Sequence, residues 1–104
     1  MYYSTLMFEV IQSDEFKKWL GGLRDGQAKT RILARIRRLS MGNPGDVEPT
    51  QKGISEMRID YGPGYRLYYT QSGAAAFVLL LGGDKRTQDK DIGKSVDIAK
   101  RWRK

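Results

Sequence analysis

A chain of 104 residues with 19 Lys+Arg against 12 Asp+Glu, net +7, is expected to form one domain over residues 1–104. That charge suits a polyanionic partner such as RNA, DNA or an acidic protein, the plainer alternative being lysines that only keep the chain dispersed. Cysteine and histidine are both absent, which excludes disulfides, thiol chemistry, a Ser-His-Asp triad and the commonest transition-metal ligand.

Acid–base work is therefore left to Lys, Tyr, Asp or Glu, or to positioned cations that need no strong base. No metal or cofactor is expected. The start, MYYSTLMFEVIQS, lacks the basic and apolar regions of a secretory signal, and no apolar run nears the roughly 18 residues that cross a bilayer. A cytoplasmic protein with no membrane partner is the expectation.

Leu6 to Ile11 alternates and is rich in strand formers, so it reads as a strand. Ser13 is placed to cap a helix whose first turn carries Asp14 and Glu15 and whose apolar stripe is Phe16, Trp19, Leu20 and Leu23. Gly21-Gly22 weakens its end, and Asp25-Gly26 breaks to a second helix from about Gln27 to Met41. Ala28, Ile32, Ile36 and Leu39 line one face of that helix, with Arg31, Arg35 and Arg38 beside it and Lys29 and Arg37 nearby. Those cations fit a surface for nucleic acid or an acidic segment, but a solvated face whose long stems cover the core edge is the better reading for a surface helix. Gly42-Asn43-Pro44-Gly45 ends the helix, and Asp46 to Gly53 reads as a loop.

From Ile54 to Asp91 three strands succeed one another, with cations where they end or bend. Within Tyr65 to Thr70, Arg66 and Tyr68 share one face, because side chains alternate along a strand. Arg58, across the Tyr61 to Gly64 turn, comes beside Arg66 if the register allows. Two facing arginines favour an anion between them; the alternative is that each pairs with a carboxylate such as Glu56 or Asp60. Ala75 to Leu81 reads as a central strand, broken at Gly82-Gly83 so that backbone can approach a ligand just before Asp84-Lys85-Arg86. Thr87 is the expected cap of a last helix with the stripe Ile92, Val96, Ala99 and Trp102, ending in Lys100, Arg101, Arg103 and Lys104. The fold class is thus α+β, in the order β-α-α-β-β-β-α, with the helical hairpin packed on a mainly antiparallel sheet.

The order of elements, with ISEMRI, GPGYRLYY, FVLLLGGDK and TQDKDI, resembles the RelE/ParE toxin superfamily from about Met7 to Trp102. The likeness is to its HigB-like branch, the addiction-module killer or plasmid-stabilisation proteins. It implies the toxin of a type II toxin–antitoxin pair: a metal-independent endoribonuclease that cuts messenger RNA on the ribosome and is neutralised in a heteromeric complex by a helix-turn-helix antitoxin. The ParE-like alternative inhibits DNA gyrase; another is a partner-binding member without catalysis. By this resemblance Arg66 contacts the scissile phosphate, Arg58 and Lys85 are its neighbours, and Tyr68 is the substitute for a base, since Ile92 stands where RelE has a C-terminal tyrosine. Arg86, Lys52, Arg31, Arg35 and Arg38 complete the expected RNA-binding set.

Overall fold

The computed structural model describes residues 7–102. Along them run β1 (Glu9–Gln12), α1 (Asp14–Gly22), α2 (Gly26–Ser40), β2 (Val47–Pro49), β3 (Ser55–Ile59), β4 (Tyr65–Ser72), β5 (Ala76–Asp84) and α3 (Gln88–Trp102). The strands form one mixed sheet in the order β1-β5-β4-β3-β2, with β1 parallel to β5 and every other pair antiparallel. The α+β class stands, with one strand more than expected. Val47–Pro49, within the segment read as a loop, pairs along the edge of β3. Proline is tolerated there because an edge strand leaves one side of its backbone unpaired.

The sheet is covered on both faces. Alternation sends Met57, Ile59, Leu67, Tyr69 and Leu79 toward α1 and α2, where they pack with Phe16, Ile32 and Leu39. The opposite face sends Tyr68, Val78, Leu80 and Leu81 toward Ile98 and Ala99 of α3, with Ile54 beside them. The helical hairpin and the last helix therefore lie on opposite sides of the sheet.

Ser13 caps α1 as expected, its Oγ accepting from the Phe16 amide at 3.0 Å. That hydroxyl also donates to the Leu80 carbonyl at 2.7 Å. The contact falls at an irregularity in β5: Tyr68 pairs with Leu81 and Tyr69 with Leu79, so Leu80 is an extra residue, a β-bulge. Leu80 and Leu81 both turn toward α3 as a result.

Beyond the bulge the strand runs on. Gly82 and Gly83 continue β5 rather than break it. A side chain at Gly82 would be driven into the Trp19 ring, and one at Gly83 into the Asp91 carboxylate. These glycines admit protein neighbours, not the ligand anticipated from sequence. Thr87 is not the cap either: Asp84 accepts from the Arg86 amide at 2.9 Å and opens a 3-10 turn, Lys85–Thr87, that runs into α3. Thr87 Oγ1 instead donates to Asp91 at 2.6 Å. The first strand begins at Glu9, and the expected start at Leu6 and the cations Arg103 and Lys104 lie outside the described residues.

Candidate phosphate-binding cleft

The pairing of β3 with β4 settles which cations meet. Their register puts Arg58 opposite Arg66 and Glu56 opposite Tyr68, all four on the face toward α3. Arg66 pairs with Gly83 on its other side, where the Asp91 carboxylate fills the space that a side chain would take. The chain then leaves β5 and carries Lys85 past the β3–β4 turn, close to Gly64, whose φ of 81° belongs to the left-handed region that glycine tolerates. Asp46, Arg58, Ile59, Asp60, Gly64, Arg66 and Lys85 line a cleft of about 290 Å³. Arg58, Arg66 and Lys85 are thus brought to one concavity.

The two arginines are held differently. The Arg66 side chain is only 12% exposed, and its Nε lies 3.6 Å from the carboxylate of Glu56, itself 1% exposed. That separation is an ion pair without a hydrogen bond, and Nε has no other partner. Gln88 at the start of α3 donates to the same Glu56 oxygen at 2.8 Å. Arg58 is 36% exposed and reaches the other way, toward Asp46 at 3.1 Å and Glu48 at 2.9 Å. Its hydrogen bond with Asp46 holds the guanidinium above its ordinary pKa. The carboxylate pairing weighed from sequence is present for both arginines, but for Arg58 the partners are Asp46 and Glu48 rather than Glu56 or Asp60.

Tyr68 does not belong to the cleft. It is fully buried under α3, and its hydroxyl makes no well-formed hydrogen bond. Burial, with the charges of Glu56 and Asp91 added, pushes its pKa well above the usual phenol value. A group so hard to ionise and out of reach of solvent is not a general base.

Arg35, expected to be a surface cation, is a structural clamp. Its guanidinium donates to the carbonyl of Arg58 at 2.7 Å, of Pro44 at 2.8 Å and of Asp46 at 3.4 Å. Burial lowers its pKa somewhat, with Arg38 nearby, though an arginine stays charged. Gly45, at φ 82°, lies so close to this guanidinium that a side chain there would meet it at 2.8 Å. The other helix cations do not join the cleft. Arg38 is exposed on α2, while Arg31 stacks on the Tyr61 ring at 4.6 Å. Tyr61 in turn donates to Asp25, the residue capping α2, at 3.1 Å. Lys52 sits in the β2–β3 turn at φ 53°, near the Ser55 end of β3, whereas Arg58 is near the other end. Arg86 is exposed, pairs with Asp84 at 2.9 Å and lines, with Lys85, a second shallow depression at the start of α3.

Sequence reasoning missed Asp46 and Glu48 as partners of Arg58. Their signal was present: the two flank Val47 in strand alternation, so both can face one way.

A family model described as "Phage derived protein Gp49-like (DUF891)" matches residues 18–104. The chain belongs to this family. Gp49-like proteins are a RelE/toxin-like family of addiction-module toxins. A toxin of this kind implies an antitoxin partner, and such toxins typically act as ribonucleases. The chain is also 48% identical over 84 residues to an uncharacterized protein of Haemophilus influenzae strain Rd, covering 81% of this chain and 85% of that protein. Among the described residues no helix is long and apolar enough to cross a membrane.

Proposed function

We propose that this Gp49-like protein is the toxin of a type II toxin–antitoxin pair, a HigB-like ribonuclease that cuts messenger RNA on the ribosome in the cytoplasm. A helix-turn-helix antitoxin is its proposed inhibitor. The observation that carries the reading is the meeting of Arg58, Arg66 and Lys85 around one open cleft, two of them opposite each other on adjacent strands. Each arginine already meets a carboxylate, and a phosphate that reaches both would exchange with those contacts. Guanidinium forks match phosphate oxygens in pairs, while the lysine adds a compact charge.

The chemistry needs little else from the protein. The ribose 2′-oxygen attacks the neighbouring phosphorus, the P–O5′ bond breaks, and a cyclic phosphate and a 5′-hydroxyl remain. The 2′-hydroxyl gives its proton to water, and the leaving oxygen takes one up. Arg58, Arg66 and Lys85 hold the phosphate for in-line attack and stabilise the charge that builds on its oxygens. With Tyr68 out of reach, positioning and charge carry this step.

Ribosome-dependent cleavage of a defined message tests the reading. Lys85→Ala changes an exposed residue and leaves the core intact. Loss of one such charge contact is expected to lower the rate about 10²-fold, and Arg66→Ala at least as much. Near-normal cleavage by both variants removes the assignment. Mapping of 5′ ends after brief induction separates the targets: codon-phased cuts indicate the ribosomal nuclease, and DNA breaks with intact messages a gyrase inhibitor.

A further inference from the structure

The cleft is not open to an anion on all sides, because the chain already supplies two. Asp46 and Glu48 alternate around Val47 at the β2 edge and both bond the Arg58 guanidinium, while Asp46 also lines the cleft. Their backbone is fixed in place. The Arg58 amide donates to the Asp46 carbonyl at 2.9 Å, Glu48 pairs with Glu56 in the ladder, and Arg35 grips the carbonyls of Pro44 and Asp46 from the opposite side. Two carboxylates thus meet one guanidinium as phosphate oxygens would. Arg66 is held otherwise, by a carboxylate buried beneath it rather than one at the mouth of the cleft.

We infer that Asp46 and Glu48 act as built-in competitors for the phosphate site, and that RNA must draw Arg58 away from them to engage it. The inference rests on the phosphate-binding reading of the cleft. Both carboxylates are more than half exposed, so the bonds to be exchanged are weak and the competition is modest. It screens ligands rather than closing the site. A single weakly held anion gains too little to displace two tethered carboxylates, whereas a strand that also engages Arg66 and Lys85 can. Arg35 is in this account a positioning residue, which keeps the acidic strand facing Arg58.

The test is the affinity of the full chain for a short single-stranded RNA made uncleavable by 2′-O-methylation. Neutralising both competitors, Asp46→Asn with Glu48→Gln, is expected to tighten binding by about two- to tenfold. A charge-matched control, Glu9→Gln with Asp97→Asn, changes two exposed carboxylates away from the cleft. A gain in the first variant clearly larger than in the control supports the inference. An equal gain, or none, overturns it while Arg66→Ala still weakens binding. If Arg66→Ala binds as the unaltered protein does, the phosphate-site reading falls and the inference with it. Should the double variant unfold, Glu48→Gln alone is judged by half the gain against Glu9→Gln alone, since its backbone remains in the β2–β3 ladder.

Discussion

The two faces of the sheet are both covered by helices, yet they are filled by different chemistry. Toward α1 and α2 the sheet presents aliphatic and aromatic side chains that pack with Phe16, Trp19, Ile32 and Leu39. Toward α3 it presents an apolar half around Val78 and Leu80 and a polar half in which Glu56 and Arg66 are largely or wholly buried, with Asp91 of α3 buried against it. An apolar face stabilises in proportion to the surface it removes from water. A buried ion pair gains little net stability over apolar packing, because desolvating the charges offsets their attraction. The face that carries the cleft is the one on which the fold tolerates this cost.

Four substitutions or conditions probe the contrast. Glu56→Ala leaves the Arg66 guanidinium without its counter-charge and should cost about 3 kcal/mol in chemical denaturation, the low end for a buried pair because Arg66 keeps some contact with water. On the apolar face, Gly82→Ala forces the Trp19 ring to move and should cost about 1–3 kcal/mol, visible as a lower Tm. Tyr68→Phe removes a buried hydroxyl that makes no well-formed hydrogen bond, so stability should change by less than about 1 kcal/mol. Ribosome-dependent cleavage should persist in that variant, and its loss would return Tyr68 to the mechanism.

The smallest effect lies at the acid end. Arg101 holds the Glu15 carboxyl below its ordinary pKa, and Arg86 does the same for Asp84. Where the folded pKa is the lower one, the unfolded chain binds more protons, so stability rises with pH across that window. The contribution is present above the usual carboxylate range, near pH 4, and is lost as the pH falls through the depressed folded values. Arg101→Ala and Arg86→Ala should each lower the neutral plateau slightly and leave stability at the acid end unchanged, so that the limb between the two flattens. An unaltered acid limb in both would show that the pairs contribute nothing there.

Much of this arrangement was legible in the sequence because strands and helices repeat. Alternation was enough to put Arg66 with Tyr68 on one face, and the register of β3 on β4 then supplied Arg58. The capping chemistry at Ser13 was equally local. Three features were hidden for physical reasons. A strand as short as Val47–Pro49 has too few residues to show a period, and its proline reads as a break. Gly82 and Gly83 looked like an exit because paired glycines usually end a strand, whereas here they make way for Trp19 and Asp91 from distant parts of the chain. Arg35 shares a helix with Arg31 and Arg38, and nothing in that spacing foretells that the carbonyls of Pro44, Asp46 and Arg58 converge on it. Helical period reports which side of a helix a residue occupies; it does not report what folds back against that side.

The parallel pairing of β1 with β5 joins Glu9 to Ala76, far apart along the described chain. A nascent chain growing from its N-terminus must therefore hold β1 without its sheet partner until β5 has been made and has cleared the ribosomal tunnel. Contacts so distant along the chain form late, after the cost of closing the intervening loop is met. Lys85 comes directly after that strand, so the cleft acquires its third cation only as the sheet itself closes. An unfinished copy therefore lacks the complete cleft.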